Sequence, residues 1–335
     1  RFNARRNSGE APDAQEILGG LLLAQALIHG QGRSHRLRKP IVGLLWRHER
    51  LRGKLPLASR GGSVGMGMDT SRSDHDVFLQ FEDGEEDMVQ TLHEILLDLQ
   101  TKSSTHDRLR RAKIIRKDFA VEIQDYYRHR DFDLVPYTVK EGVECQWDLK
   151  NQRWQRILHK DLTPKLQELS EQHPNGFLMA RLLKIYNESL PAIRRSGEKD
   201  KAPFISLHIP LMVLAARDQD KFKDCSDPQN YMLESLRFIR DNWHRSHLET
   251  SEVTLRKVEA ETHLKRMIQK YHGAQMEVEL RQLLQRDVRI LEELHQEKGR
   301  DKASAERVVQ KVQQLFARAS GLLAREPAYK AGYGK

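Results

Sequence analysis

The stretch GGSVGMGMDTSRSDHDVFLQF, residues 61–81, constrains this chain more than any other. A turn crowded with glycine runs into HDVFLQF, an apolar, aromatic-rich segment that predicts a strand and carries Asp74 and Asp76 at its start. On a strand, residues i and i+2 point to the same face with Cα atoms about 6.5–7 Å apart. Two like charges then project together, which is costly unless a cation lies between them. Mg²⁺ suits the place, because it takes oxygen ligands and is usually held by one or two carboxylates plus substrate phosphates. Two such ions roughly 3.5–4 Å apart clamp the attacking and leaving oxygens of an in-line displacement. The glycines serve the same chemistry. Gly62, Ser63, Gly65 and Gly67 let backbone N–H groups approach phosphate closely, and the Ser63 hydroxyl can donate to a phosphate oxygen.

A metal that activates a hydroxyl nucleophile calls for a third carboxylate on a neighbouring strand. FDLVPY, residues 132–137, offers Asp133 between Phe132 and Leu134. A charge in so apolar a strand is expensive to bury without a partner. Asp131 points to the same face and is a rival for the role; a strand-end residue capping a turn is the other reading of Asp133.

Charge widens the picture. The chain carries a net +9, and residues 31–60 hold Arg33, Arg36, Arg38, Lys39, Arg47, Arg50, Arg52, Lys54 and Arg60 against the single acid Glu49. RLRRAKIIRK, residues 108–117, is a second basic run. Such blocks suit polyanions, whether nucleic acid, nucleotide phosphate or anionic lipid, or serve as solvated surface. Two cysteines, Cys145 and Cys225, cannot build a zinc site alone and read as ordinary thiols of a reducing cytosol. The apolar stretch ILGGLLLAQALI, residues 17–28, is short for a spanning helix, which needs about 20 residues, and predicts a buried or amphipathic helix.

Helices are expected over 12–30 and 40–52, with Pro40 in a first turn and Gly30 and Gly53 after the ends. DGEEDMVQTLHEILLDLQ places Met88, Leu92, Ile95, Leu96 and Leu99 on one helical side. KDFAVEIQDYY and RDFDLVPYTV read as paired strands. After residue 160 the strands stop, and helices are expected over 174–190, 207–219 and 230–244. Two amphipathic stripes follow, one through Met276, Leu280, Leu284, Val288 and Leu291, the other through Val309, Val312, Phe316 and Ala319. The fold class is therefore α+β: a lobe over 1–160 with a small mixed β-sheet and N-terminal helices, and an α-helical lobe over 161–330.

GGS followed by DHD and FDLVP resembles the nucleotidyltransferase superfamily with the polymerase β-like fold. The likeness is to the branch of oligoadenylate synthetases, cyclic GMP-AMP synthase, its animal receptor relatives and the bacterial CD-NTases. It spans roughly residues 15–220. The resemblance implies a bilobal fold in which Gly62 and Ser63 contact the triphosphate. It makes Asp74, Asp76 and Asp133 the catalytic, metal-binding acids, with Asp133 helping to deprotonate the acceptor hydroxyl. Lys184 of RLLKIYN matches a helical-lobe lysine that reaches the triphosphate, with a solvated helix lysine as the other reading. FISLHIPLMVL matches the following helix through Ser206 and His208, but Pro210 stands where that pattern has glutamate. Implied with these are Mg²⁺ or Mn²⁺ as cofactor, ATP, GTP or another NTP as substrate, and a cyclic or 2′-5′-linked nucleotide messenger of innate immune or antiphage signalling. Likeness to the branch's animal sensors implies double-stranded RNA or another activator, held by Arg33, Arg36, Arg38, Lys39, Arg47 and Arg50; likeness to its bacterial members implies none, and the block is then plain surface. CCA addition or terminal transfer onto RNA is the rival on the same core, and a catalytically silent nucleic-acid-binding relative is the rival from another class.

Overall fold

The computed structural model describes residues 12–29, 38–54, 57–70, 73, 75–82, 84–102, 107–127, 130–189, 208–242 and 274–323. By its contacts the chain divides into two compact units, Gln31–Pro164, and Arg1–Gly30 together with Lys165–Lys335. The first helix, α1 (Ala14–His29), falls in the second of these.

The unit Gln31–Pro164 contains α2 (Arg38–Arg47), β1 (Leu57–Arg60), a one-turn helix α3 (Gly62–Gly65), β2 (His75–Gln80), α4 (Met88–Thr101) and α5 (Asp107–Arg111). Five strands follow: β3 (Lys113–Arg116), β4 (Val121–Tyr127), β5 (Arg130–Lys140), β6 (Val143–Asp148) and β7 (Arg153–Arg156). The strand order is β1-β2-β5-β4-β3, and β6 pairs with the far end of β5 and with β7. β2 and β5 run parallel and the other pairs run antiparallel, so the sheet is mixed as expected, with seven strands.

Period-two alternation separates the two faces of this sheet. Val77 and Leu79 of β2, Val121 and Ile123 of β4, and Phe132 and Leu134 of β5 join one core with Met88, Val89, Leu92, Ile95, Leu96 and Leu99 of α4. The expected α4 stripe is thus buried in full, each large side chain contributing about 1.5–3 kcal/mol. The intervening residues face the other way. Phe78, Val135 and Tyr137 form a smaller cluster there with Ala120 and Ile157. Pro136 lies inside a central strand, where a missing N–H would cost a ladder bond. It falls between Leu134, the last β5 residue paired with β4, and Thr138, the first paired with β6.

The second unit is helical in its described residues. Besides α1 it holds most of α6 (Leu158–Gln172), then α7 (Pro174–Ser189), α8 (His208–Asp218), α9 (Pro228–Asn242), α10 (Ala274–Gln296) and α11 (Lys302–Leu323). The helix at the N-terminus, grouped by sequence with the sheet, is tied into this unit: the Ala14 N–H donates to Gly299 O at 3.1 Å, and Gln15 Nε2 donates to the carbonyls of Leu294 and Glu297 at 2.7 Å each. Pro210 sits in the first turn of α8, where its absent N–H leaves no helical bond unmade. The stripe on α10 is buried at Leu280, Leu284, Val288 and Leu291. On α11 the expected stripe is corrected by one position: Val308, Val312, Leu315 and Phe316 are buried, whereas Val309 is 36% exposed. The spacing 308, 312, 315, 316 keeps one helical face inward, and Val309 is rotated about 100° from Val308. Among the described residues no helix is long and apolar enough to cross a membrane.

This shift of face makes a direct comparison. Val308→Ala should destabilise the protein by about 2 kcal/mol and Val309→Ala by well under about 1 kcal/mol, read from the thermal transition of each variant; a larger loss in Val309→Ala would put the stripe back where periodicity alone had it.

Candidate active site

The sheet face opposite the main core carries the acids. In the parallel ladder Asp76 of β2 stands directly opposite Asp133 of β5. In the antiparallel ladder on the other side of β5, Glu122 of β4 stands opposite the same Asp133. Register partners share a face, so three carboxylate-bearing residues lie at one level across three neighbouring strands, each strand about 4.8 Å from the next. Like charges in such a row repel.

A lysine answers part of that repulsion. Lys117 opens the β3–β4 turn, its N–H donating to Ala120 O at 2.8 Å. Its Nζ lies 3.1 and 3.0 Å from the two carboxylate oxygens of Asp133 and 3.3 Å from Glu122 Oε1. Glu122 also accepts from Gln124 Nε2 at 3.2 Å. The Asp133 and Glu122 side chains are only 16% and 13% exposed, against 39% for Lys117. Burial pulls the Lys117 ammonium down, but the charges and hydrogen bonds of Asp133 and then Glu122 outweigh it and hold the group above the ordinary lysine range.

The glycine turn seats itself on Asp76. The Gly61 N–H donates to Asp76 O at 2.9 Å, and the turn closes on itself through Gly65 N to Gly61 O and Met68 N to Ser63 O, both 2.8 Å. Gly62 has φ +52°, a left-handed conformation, and a Cβ there would fall 1.6 Å from Asp76 Oδ2. A Cβ on Gly61 would fall 2.3 Å from the Phe78 ring. Only glycine lets the backbone come this close to the acid. Gly62, Ser63, Asp76 and Asp133 are therefore brought together in one unit.

The other sequence-derived candidates are placed differently. Asp74, Arg33 and Arg36 lie outside the described residues, as does Ser206. Arg38 and Lys39 begin α2, and Asp131 lies on β5. Arg47 is exposed; so is Arg50, whose Nη1 pairs with Glu94 Oε2 at 3.1 Å. Lys184 is 3% exposed on α7, a buried lysine and not a solvated one. Lys117 and Glu122 were not singled out by sequence. Lys117 was counted only as the end of a basic run, and Glu122 takes the polar position of the regular alternation VEIQ, which reads as the face turned away from the core.

Among the described residues no group of three or more metal-capable side chains converges as a metal site. The donor set nonetheless fits a hard divalent cation. Asp76 and Asp133 supply oxygen ligands side by side, and an ammonium already answers the call for positive charge at Asp133. The tight seat of the turn makes its own test. Gly62→Ala should cost at least about 1 kcal/mol, since it adds strain at positive φ to a collision with Asp76; Gly53→Ala, at positive φ with open space around it, reports the backbone part alone, and equal losses in the two would refute the collision.

No family model matches the chain, and no curated protein matches it. Solved structures do. The Escherichia coli MS115-1 CdnC structure with ATP aligns at a TM-score of 0.51 and 14% identity, over 88% of this chain and 93% of that one. The Vibrio cholerae DncV cyclic AMP-GMP synthase with nonhydrolyzable GTP aligns at 0.54 and 14%, over 94% and 82%. The Elizabethkingia meningoseptica CdnE cyclic dinucleotide synthase with GTP and Apcpp aligns at 0.50 and 12%, over 76% and 99%. At these identities the likeness is one of fold, and it runs through both units. The chain has the bilobal nucleotidyltransferase fold of the CD-NTases.

Proposed function

We propose that the protein is a template-independent nucleotidyltransferase that joins NTPs into a cyclic di- or trinucleotide or a 2′-5′ oligonucleotide messenger. The observation that carries this is the register setting Asp76 beside Asp133 next to a glycine turn that tolerates no side chain. The shared fold with DncV and CdnE, named as cyclic nucleotide synthases, supports it and makes ATP and GTP the first substrates to try.

In this reading the backbone N–H groups about Gly62 and the Ser63 hydroxyl receive the triphosphate. Asp76, Asp133 and Asp74 hold Mg²⁺ or Mn²⁺, which when bound supplies charge neutralisation at the phosphates and acidifies the acceptor hydroxyl. Asp133 orients that 2′- or 3′-hydroxyl. The hydroxyl proton passes to Asp133, the hydroxyl oxygen forms the bond to the α-phosphorus, the bond from the α-phosphorus to the α–β bridging oxygen breaks, and pyrophosphate leaves with the electron pair. The triphosphate role implied for Lys184 belongs to this proposal, and so does activation by double-stranded RNA. Exposed Arg47 suits a phosphate contact, while Arg50 is already engaged by Glu94.

The protein incubated with radiolabelled ATP and GTP in Mg²⁺ or Mn²⁺, with and without double-stranded RNA or tRNA, should release short soluble products and pyrophosphate; linkage-specific nucleases then assign the bonds. Label carried only into tRNA would replace the messenger reading with RNA-terminal transfer. NTPs left intact in every arm would leave a silent nucleic-acid-binding relative. Asp76→Asn and Asp133→Asn should each lower turnover at least about 100-fold with the circular dichroism spectrum unchanged, and near-native turnover in either would remove that acid from the chemistry.

A further inference from the structure

Lys117 has no part in the chemistry above, yet it sits between two acids of that face, Asp133 and Glu122. Its ammonium touches both oxygens of Asp133 and reaches Glu122. Glu122 is held in turn by Gln124. Any divalent cation bound through Asp133 therefore meets a positive charge already seated on the same carboxylate. Two cations on one carboxylate repel, and the neighbouring surroundings are half-buried, where water screens less. Glu122 stands one strand further from Asp76 in the row, so it can retain the ammonium when Asp133 turns to another cation.

We propose that Lys117 is a positioning residue and the resident counter-ion of Asp133. It holds Asp133 and Glu122 in line when no metal is bound and competes with the divalent cation for Asp133. Metal uptake is thereby coupled to nucleotide, whose phosphates add the negative charge that outweighs the ammonium. The gain in metal affinity that nucleotide brings is enlarged where the ammonium opposes metal in the free protein and, retained by Glu122, opposes it less in the nucleotide complex. This inference rests on the metal-dependent reading above and adds an order of loading to it.

The test is Mn²⁺ titration of the full chain, followed by the electron paramagnetic resonance signal of the free ion, with and without a non-hydrolysable ATP analogue. Lys117→Met should bind Mn²⁺ in the absence of nucleotide about tenfold more tightly than the wild type. The enhancement brought by the analogue should shrink by a similar factor. Lys117→Arg, which keeps the charge, should stay within about threefold of the wild type. A merely structural lysine would lower the thermal transition of Lys117→Met equally in EDTA and in Mn²⁺; a counter-ion lowers it in EDTA and lets Mn²⁺ restore it. Should Lys117→Met fail to fold, Lys117→Met/Glu122→Gln removes the ammonium together with one of its partners and carries the same comparison. Mn²⁺ binding that is equal in, or weaker in, the lysine-free variant overturns this inference and leaves the metal-dependent reading standing. Binding by neither protein, with or without the analogue, overturns both.

Discussion

The parallel pairing of β2 with β5 is the constraint on which the site depends. It puts Asp76 level with Asp133 and, through the next ladder, with Glu122. A shift of one residue would send Asp133 to the main-core face and Phe132 to the site face, because side chains alternate with a period of two. The register is held by burial: Val77, Leu79, Phe132 and Leu134 all lie in the core that α4 covers. Apolar packing on one side of the sheet thus sets the spacing of charges on the other. Parallel neighbours also need a crossover, and residues 81–129, with α4 and the β3–β4 hairpin, supply it.

Given that row, the rest of the site follows from electrostatics and from space. Three carboxylates at one level need positive charge, and Lys117 brings it from a turn that would otherwise be plain hairpin. Asp76 has a different neighbour. The turn after β1 lies so close that Gly62, against Asp76, and Gly61, against the Phe78 ring, can be nothing larger. In the proposed reading the sheet supplies the acids and the backbone about Gly62 and Ser63 the phosphate contacts, on one compact unit.

Much of this was legible in the residues. The strand at 75–80, the α4 stripe and the pairing of β4 with β5 followed from periodicity, since each alternates cleanly over a long enough run. The short edge strands did not. β1 and β3 have four residues each, and β3 sits inside a basic run whose charge reads as a polyanion contact or solvated surface, not as a strand. The β6–β7 hairpin also went unread: β7 has four residues, and β6, six long like β2, is half-buried along most of its length without clean alternation. α6 carries Pro164, the residue that ordinarily argues against a continuous helix. On α11, Val308 and Val309 are adjacent and equally apolar; the sequence reading put Val309 inward, and packing buries Val308 instead.

What the sequence by itself determined is chemical: a glycine turn, a strand after it that carries Asp76, an acid in an apolar strand, and the helical pattern that follows. Those are local properties, carried by residue type and spacing along the chain. Only the tertiary structure decided that Lys117 and Glu122 belong with Asp133, that α1 joins the helices after residue 165, and that Lys184 is buried. Such facts depend on which strands and helices become neighbours. Charge pairing across strands and helix packing act between residues far apart in sequence, and no local pattern records them.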